Sequence, residues 1–584
     1  MRKYSLLTSL VIVIASVIAI ASAWHDAPIV DEDPHIGAGY SYIAGQTYQF
    51  NPEHPPLAKD LAGLALLPLG INSNFLATYN ASHQGIVNDQ WNFGRALIYN
   101  SGVDPITLIR LAKLPLILFF IFSGWLIYLW TKKTYNPRAA LLAVFLFAFC
   151  PTIVAHARFV TTDVPALFGI LFASYFFLKY LKEQNVGNFW LASSSFGVAL
   201  LTKFSAFLLI PYFLLLALVW AWSQHHEYFR PIVRLVTKTI LIMVVGFVVI
   251  VGPVYQLHVY NYPPAQQKND TESLLKYYPI STLSSAIIWA SDKPVLRPYA
   301  QWGLGMAMVF QRAEGGKRTY FMGQLSSKSF KAYFPVVYVL KEPIPFLILL
   351  LGAIWLGFKS WRKNREKFKN KIRDHFSVFT MLLWIFIYVA ASINANLNIG
   401  IRHLIPIYGF VFVLVAGQIE AVISSRKWLR IFVFVFLGWY LAEFASVYPY
   451  YLTYYNEFAR LRPPWATEGL VGGHNYAVDS NLDWGQDLWR LGDFVKTNNI
   501  QKIYVDYFGW ADQSFYIGNA FQWMHAGQYP NKAQFLADNP PGGWLAVSVS
   551  YYQESTVDPA QPYAWLGKPT TVIGNSIFVW HVTP

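Results

Sequence analysis

The sequence has few charged residues and almost no cysteine, and both shortages narrow the class of protein. Only 13% of the 584 residues are charged, while 55% are hydrophobic. A soluble domain carries about a quarter charged residues. The single cysteine, Cys150, excludes an intrachain disulfide and most thiolate metal sites. The Gly-x-x-x-x-Gly-Lys-Ser/Thr phosphate loop is absent, which argues against a nucleotide-driven pump.

Long apolar runs recur along the first three quarters of the chain. Most are long enough to cross the ~30 Å hydrocarbon core of a bilayer. We predict eleven membrane spans, at residues 6–23, 107–130, 139–155, 164–181, two within 189–222, 236–256, 337–358, 375–393, 404–422 and 430–447. Two long external loops separate them, at 24–105 and 257–335. The short apolar stretch Leu57–Leu69 in the first loop is expected to form a helix at the membrane interface.

The basic residues determine the predicted orientation. The net charge is +14, and Lys and Arg fall in short clusters between the apolar runs. This is the positive-inside pattern, so the charge does not indicate nucleic-acid binding. Eleven spans with the N-terminus inside put the C-terminus outside. The first run ends in Ala21-Ser22-Ala23 and also resembles a cleaved signal peptide, but it is long for one, and we interpret it as a span.

The pattern changes at about residue 449. Four later segments have the periodicity of a helix or the composition of strands: Asp483–Val495 for the helix, and Lys502–Phe508, Trp544–Tyr551 and Thr571–His581 for the strands. The predicted fold is a polytopic α-helical membrane domain over 1–448, followed by a small extracytoplasmic α/β domain over 449–584.

Unusual polar side chains collect where the predicted spans end on the outer side. Charges at a membrane boundary are costly unless they are paired, hydrated or functional. Nine of them are candidate site residues. Asp31, Glu32 and Asp163 are the candidate catalytic carboxylates, and the candidate substrate-binding groups are His54, Lys59, Arg158, Lys203, Arg402 and His403. A carboxylate can take the proton of an attacking hydroxyl, and Arg or Lys can hold the charge of a leaving phosphate. Such a set suits inverting transfer of a sugar from a lipid-linked phosphate.

Several of these residues also have structural explanations. Asp163, within Thr161–Pro165, fits a helix cap as well as a site role. Lys203 fits a side chain that extends to the membrane interface, and Arg402 fits a contact with lipid headgroups. His54, which precedes two prolines, fits a turn. The sequence leaves both explanations open for each of them.

The motifs around these residues resemble a known family. Asp31-Glu32 after the first span, with Glu53–Lys59 (Glu-His-Pro-Pro-Leu-Ala-Lys), resembles the Asp-Glu pair and the His-Pro-Pro-Leu-x-Lys motif of the protein O-mannosyltransferases. Arg158–Pro165 is similar to a second acidic motif of the wider GT-C glycosyltransferases, which include bacterial aminoarabinose transferases. Asn398–His403 and Val478–Asp487 look like motifs of a bacterial branch of that group.

The resemblance implies inverting transfer from a polyprenyl-phosphate sugar, without a nucleotide and without an obligatory metal. It carries the catalytic Asp over to Asp31, a supporting role to Glu32 and the second acid to Asp163. The chain lacks the β-trefoil domain of eukaryotic members, so a protein acceptor is not implied. His54 stands where aminoarabinose transferases have Lys, which leaves Lys203 and Arg402 as alternative phosphate contacts.

We therefore expect a glycosyltransferase that uses a polyprenyl-phosphate sugar and a hydroxyl acceptor on a lipid, glycan or protein. Its expected location is a bacterial inner membrane, with the site and the C-terminal domain facing outside. Membrane lipid is an expected partner and nucleic acid is not. No metal site is predicted, although a metal held by Asp31, Asp163 and a His stays open. A flippase for a lipid-linked sugar and a membrane scaffold are the rivals; polar groups gathered at one face favour the enzyme.

Overall fold

Long apolar helices recur through the first three quarters of the chain. The computed structural model describes residues 2–224, 229–363, 366–425, 427–466 and 471–584. Within these residues, nine helical runs are long and apolar enough to span a bilayer: Arg2–Ser22, Pro105–Thr134, Asp163–Lys182, Phe204–Gln224, Arg230–His258, Ile344–Lys363, Phe376–Asn394, Ile401–Ser424 and Trp428–Ser446. A tenth run joins Pro137–Ala148 to Pro151–Ala157 with a 64° bend. The chain is a polytopic α-helical membrane protein.

The predicted count of eleven spans is not confirmed. The difference lies in the helix Val186–Leu200, whose 15 residues fall short of the ~20 that a full crossing needs. The bend in the tenth run follows from Pro151, because a residue before proline is pushed away from helical geometry. Cys150 accordingly has an extended backbone, with φ −79° and ψ 117°.

The eighth predicted span, 337–358, is wrong in its bounds. The structure has two helices there, Tyr333–Lys341 and Ile344–Lys363, separated at Glu342. Pro343 and Pro345 explain the break, because proline removes a backbone donor and clashes with the preceding helical turn.

The two external loops are themselves largely helical. The first contains the helices Glu32–Ala44, Leu57–Leu66, Phe75–Ser82 and Gln90–Asn100, and a 3₁₀ turn at Leu67–Leu69. The second contains the helices Pro264–Leu274, Ser281–Ala290 and Arg297–Gly315, and the hairpin of β1 (Thr319–Phe321) and β2 (Gln324–Ser326). A short helix, Phe368–Asp374, precedes the span that begins at Phe376. The predicted helix at Leu57 is therefore present.

The first two loop helices pack backbone to backbone. A Cβ on Gly39 would lie 2.0 Å from the carbonyl oxygen of Lys59, and a Cβ on Gly63 would lie 2.2 Å from that of Gly39. Only glycine allows this approach, since real Cβ atoms essentially never come within 3.0 Å of another heavy atom. The contact fixes the start of Glu32–Ala44 relative to the Lys59 segment.

The C-terminal region forms a five-stranded mixed sheet. Its strands are β3 (Ile503–Asp506), β4 (Phe521–Trp523), β5 (Gly543–Ser548), β6 (Thr571–Ile573) and β7 (Ile577–Val582), in the order β4-β3-β5-β7-β6. β3 is parallel to β4 and β5, while β7 is antiparallel to β5 and β6. The helices of this region are Leu488–Thr497, Gln513–Ile517, Lys532–Asp538 and Val549–Thr556.

Of the three predicted strands, two correspond to β3 and β5 and the third covers both β6 and β7, while β4 was not predicted. The predicted strand Trp544–Tyr551 ends at Ser548, where a helix follows. The segment Thr571–His581 was expected as one strand, but it reverses at Gly574 and Asn575, which have φ values of 58° and 67°. Positive φ at consecutive residues is typical of a tight hairpin turn. The predicted helix from Asp483 begins only at Leu488. The predicted domain boundary at 449 stays a prediction.

We expect Gly39→Ala to lower the thermal stability of the protein in detergent. The added methyl group must separate the two loop helices, and overpacking of this kind typically costs about 1–3 kcal/mol. Tryptophan-fluorescence melting curves measure the effect. Gly352→Ala is the matched control, because a Cβ there meets nothing within 4 Å. Equal melting temperatures for the two variants would contradict the packing argument.

Candidate active site

Four charged side chains form a continuous chain of ion pairs at one end of the helical region. Arg402 lies 2.7 Å from Asp31 and 3.6 Å from Asp163, and Lys203 lies 2.5 Å from the other oxygen of Asp163. The four residues come from separate parts of the sequence. We call them the ion chain. All four were candidate site residues, and the structure brings them together.

Each member of the ion chain sits where a helix begins. Asp31 directly precedes the helix Glu32–Ala44, and Asp163 is the first residue of the span Asp163–Lys182. Lys203 precedes the 3₁₀ turn that opens the next span, and Arg402 lies in the 3₁₀ turn Ile401–Leu404. Because all four residues stand where a loop meets a helix, their side chains can meet at the same end of the helical region.

Asp163 is not a helix cap. The capping position belongs to Thr162, and its side chain makes no cap hydrogen bond. The Asp163 side chain is fully buried, and its carboxylate pairs with Lys203 and Arg402. Two cations therefore compensate one buried anion, the arrangement that a buried carboxylate requires.

Asp31 is the most exposed member of the ion chain, with 23% of its side chain accessible. Burial raises the pKa of its carboxyl, but Arg402, His35 and Arg312 together outweigh burial and lower the pKa to about 2. Asp31 is therefore ionised throughout the physiological pH range. The same guanidinium stacks on the Trp484 ring at 4.3 Å.

The segment around Trp484 fixes both ends of the Asp31–Arg402 pair. The carbonyl of Trp484 accepts from the Val30 backbone at 2.9 Å, next to Asp31. The Asn481 amide oxygen accepts from the Ile401 backbone at 2.9 Å, next to Arg402. The Val478–Asp487 motif, whose role the sequence left open, thus packs between the two.

Glu32 lies behind the ion chain. Its carboxylate accepts from the backbone N–H of Ile29 at 3.1 Å and of Val160 at 2.9 Å, and it pairs with Lys113 at 3.1 Å. Burial raises the pKa of Glu32, against the opposing effect of Lys113. These contacts tie the Asp31 loop to the loop before Asp163. The geometry fits the supporting role; the catalytic role predicted for Glu32 stays a prediction.

Lys59 has no free donor for a substrate. Its ammonium group donates to the Tyr42 hydroxyl, to the backbone and side-chain oxygens of Asn51 and to the His54 carbonyl, at 2.7–3.0 Å. Burial lowers the pKa of Lys59 to about 7. The structure therefore places Lys59 in the loop's internal hydrogen bonds, apart from the ion chain.

His54 lies at the edge of the site. Its ring meets the His35 ring edge-on at 4.9 Å, and the His35 Nδ1 lies 2.7 Å from the Val160 carbonyl. Burial, then His35 and the surrounding cations, lowers the pKa of His54, so the ring is neutral. His403 is half-buried next to Arg402, and its ring centroid lies 6.4 Å from that of Phe334.

Arg158 belongs to a different network. It pairs with buried Asp26 at 3.3 Å and donates to the Pro449 carbonyl at 3.1 Å. Arg490 of the C-terminal region pairs with the same Asp26 at 2.8 Å and with Asp487 at 2.6 Å. Arg158 therefore joins the helical region to the sheet region, and its contacts among the described residues lie outside the ion chain. Its predicted role in substrate binding stays a prediction.

Arg312 also faces the site, although it was not among the candidate residues. Arg312 lies near the end of the helix Arg297–Gly315 and acts electrostatically on Asp31, His54 and His403. The part of the chain that the structure describes offers its exposed side chain no ion pair or hydrogen bond. An exposed Arg in a long loop gives no signal in the sequence, because its position depends on how the loop folds back.

The helix of Arg312 crosses directly over the site. A Cβ on Gly305 would lie 2.1 Å from the Pro52 carbonyl oxygen, two residues from His54. Phe310 contacts Phe207, just beyond Lys203, with ring centroids 5.3 Å apart.

We also looked for a metal site. Among the described residues, no three His, Cys, Asp or Glu side chains lie close enough together to hold a metal ion.

Comparison with known proteins gives the fold a class. Residues 108–251 match the family described as dolichyl-phosphate-mannose-protein mannosyltransferase. The Saccharomyces cerevisiae protein O-mannosyltransferase complex Pmt1-Pmt2, solved with its sugar donor, is similar with a TM-score of 0.55 and 13% identity, over 76% of this chain and 90% of that one. The chain therefore has the GT-C fold, a fold found in membrane glycosyltransferases.

Two further proteins are similar to this chain, one with a lower TM-score and one over a short stretch of sequence. The Archaeoglobus fulgidus oligosaccharyltransferase in its apo form has a TM-score of 0.46 at 13% identity, over 97% of this chain and 74% of that one. An uncharacterized protein of Aquifex aeolicus (strain VF5) is 30% identical over 92 residues, which are 16% of this chain. The match spans only 18% of the length of that relative.

The Asp31–Arg402 pair predicts a pH-dependent stability. Lowering the pKa of Asp31 from 3.8 to about 2 stabilises the fold by about 2 kcal/mol. Because the folded-state pKa is the lower one, this contribution is present above pH ~4 and is lost as the pH falls toward ~2. We expect the difference in melting temperature between wild type and Asp31→Asn to shrink from pH 6 to pH 3.

Asp374→Asn is the control for that series. Asp374 pairs with Arg373 at 3.1 Å, but both side chains are more than 40% exposed. Exposed pairs contribute ~0–1 kcal/mol, so this variant should melt close to wild type at each pH. A wild-type to Asp31→Asn difference that stays constant down to pH 3 would contradict the assignment.

Proposed function

We propose that this protein is a glycosyltransferase that moves a sugar from a polyprenyl-phosphate donor to a hydroxyl group of its acceptor. The observation that supports this most is the ion chain, in which a partly exposed carboxylate, Asp31, pairs with Arg402, and Lys203 pairs with Asp163 in the same cluster. The reaction needs a base for the incoming hydroxyl and cations for the departing phosphate, and both lie within one continuous cluster.

Asp31 is proposed as the general base. It is ionised, it is the accessible carboxylate of the ion chain, and it begins a helix held rigidly against the Lys59 segment. It takes the acceptor's proton as the hydroxyl oxygen attacks the anomeric carbon. The bond from that carbon to the phosphate oxygen breaks on the opposite face, so the configuration inverts and the lipid phosphate leaves with the bonding electrons.

The charge of the ion chain suggests where the phosphate is held. Asp31 and Asp163 carry two negative charges, and Arg402 and Lys203 carry two positive charges, so the four sum to zero. A phosphate diester adds one negative charge, and it becomes more negative as the sugar leaves. Arg312 is the cation facing the site whose charge no described carboxylate compensates, and we assign it to the donor phosphate.

A groove beside the site suits the lipid tail of the donor. It has a volume of about 540 Å³, and apolar side chains of the spans Ile344–Lys363, Phe376–Asn394 and Ile401–Ser424 form nearly all of its wall. Leu404 and Phe334 line the end of the groove that is nearest to His403. A prenyl chain in this groove would leave its phosphate next to Arg402.

We place the site and the sheet region on the outer face of a bacterial inner membrane, because the basic clusters lie at the opposite ends of the spans. The proposed donor is a lipid-linked sugar, in keeping with the family description that residues 108–251 match, dolichyl-phosphate-mannose-protein mannosyltransferase. No cofactor is required by this chemistry. The acceptor is a hydroxyl of a lipid, a glycan or a protein.

A flippase for a lipid-linked sugar is the second candidate. The span bent by 64° at Cys150 favours it, since transporters commonly build their sites from broken helices. A flippase would move a labelled polyprenyl-phosphate sugar across a vesicle membrane without transferring the sugar. That measurement separates the two functions.

We expect Asp31→Asn to reduce transfer of radiolabelled sugar by about 10²–10⁴, the usual contribution of a general base. The assay offers wild-type protein a panel of polyprenyl-phosphate sugars in detergent with extracts that contain hydroxyl acceptors. Asp292→Asn, at an ion pair of the second external loop, is the matched control and should keep full activity. Wild-type rates in a folded Asp31→Asn variant would remove Asp31 as the base.

We expect Arg312→Gln to raise the KM for the donor by about tenfold, as for the loss of one charge-assisted hydrogen bond. The acceptor KM should change little, since Arg312 is assigned only to the phosphate. Arg318→Gln removes an equally exposed guanidinium six residues further on and serves as the control. An unchanged donor KM in Arg312→Gln would show that the phosphate is held elsewhere.

A further inference from the structure

A second cavity lies between the end of the last span and the C-terminal sheet. It has a volume of about 510 Å³ and a lining that is half polar. The side chains that face it include Glu443, Glu457, Arg460, His474, Tyr450 and Tyr454. Leu482 also lines it and belongs to the Val478–Asp487 segment, whose Trp484 stacks on Arg402. None of the four residues of the ion chain is among the described residues that line the cavity, so the two are separate sites.

Two carboxylates at this cavity have oxygen atoms without a donor. Glu443 is only 8% exposed; its Oε2 accepts from the Tyr454 hydroxyl, but its Oε1 has no hydrogen bond to the described residues. The Oε2 of Glu457 is also buried and accepts no hydrogen bond from the part of the chain that the structure describes. The two carboxylates repel each other. Buried acceptors are normally satisfied, so these atoms indicate a bound donor, and a cationic donor also relieves the repulsion.

A cation and an apolar rim complete the cavity. Arg460 has no ion pair or side-chain hydrogen bond among the described residues and acts electrostatically on Glu443. Val471 lines the cavity and is 50% exposed, while Phe458 and Leu461 lie close to Arg460 in the sequence and are 44% and 66% exposed. Glu443 lies in the last turn of the span Trp428–Ser446. The acids, the Arg and the exposed apolar residues thus meet where that span leaves the membrane.

We propose that this cavity binds the headgroup of a phospholipid that carries a primary ammonium and a phosphate, as phosphatidylethanolamine does. The ammonium donates to Glu443 and Glu457, Arg460 holds the phosphate, and the apolar rim contacts the acyl chains. A quaternary ammonium has no N–H to donate, so a choline headgroup leaves the carboxylate oxygens unsatisfied. A saccharide has hydroxyl donors but no charge to offset the two acids.

The test is lipid retention by the full-length protein, measured by native mass spectrometry after purification from equimolar mixed lipids. We expect wild type to retain phosphatidylethanolamine about tenfold over phosphatidylcholine, the ratio for loss of a charge-assisted hydrogen bond. Glu443→Gln with Glu457→Gln should abolish the preference. Glu272→Gln, an exposed acid of the second external loop, is the matched control and should keep it.

Equal retention of the two lipids by wild type would overturn the proposal and leave a hydrated cavity. Preference for phosphatidylglycerol, which offers hydroxyls and no ammonium, would overturn it in favour of a polyol site. Arg460→Gln separates the headgroup's two charges: it should weaken retention of phosphatidylethanolamine while the preference over phosphatidylcholine persists. If the double variant does not fold, the single Glu443→Gln and Glu457→Gln variants carry the test. None of these outcomes depends on sugar transfer.

Discussion

The ion pair between Asp31 and Arg402 is the interaction on which the site depends. It joins the first external loop to the last part of the helical region, across 371 residues of chain. Asp163 and Lys203 extend it inward, so each buried charge has an opposite neighbour. Removing Arg402 would leave Asp31 without its cation, and removing Asp163 would leave Lys203 without its anion; an unpaired charge in a low-dielectric region costs several kcal/mol. The pairs therefore constrain four loops at once, and the loops have to be rigid for the pairs to persist.

That rigidity comes from contacts behind the ion chain. Glu32 bonds the loop of Asp31 to the backbone of Val160 and to Lys113. Asp26, shared by Arg158 and Arg490, fastens the sheet region to the same loop. The sheet region consequently does more than extend the chain outside the helices. Its Val478–Asp487 segment supplies the ring on which Arg402 rests and the amide oxygen that holds the turn of Arg402.

How far the sequence predicts this arrangement depends on what each residue touches. Asp31, Asp163, Lys203 and Arg402 follow from topology, because polar residues at the same ends of successive spans must lie near one another. Lys59 and Arg158 satisfy the same criterion but make internal contacts, with Asn51 and with Asp26. A linear pattern cannot separate the two cases, since the partner's position is set by loop packing. Arg312 fails the criterion altogether: it lies on a loop helix that folds back over the site.

The pairing of Asp31 with Arg402 explains how Asp31 can act as a base although the pKa of its carboxyl is low. A carboxyl with a pKa of about 2 binds protons weakly, so Asp31 paired to Arg402 is a poor base. On the proposed function, the donor phosphate is held by Arg312 and also competes with Asp31 for the guanidinium of Arg402. As Arg402 turns toward the phosphate, the pair weakens, and burial then raises the pKa of Asp31. Asp31 becomes an effective base only when the donor is in place. An empty site would then activate neither water nor acceptor, and the reactive carboxylate would arise together with its substrate.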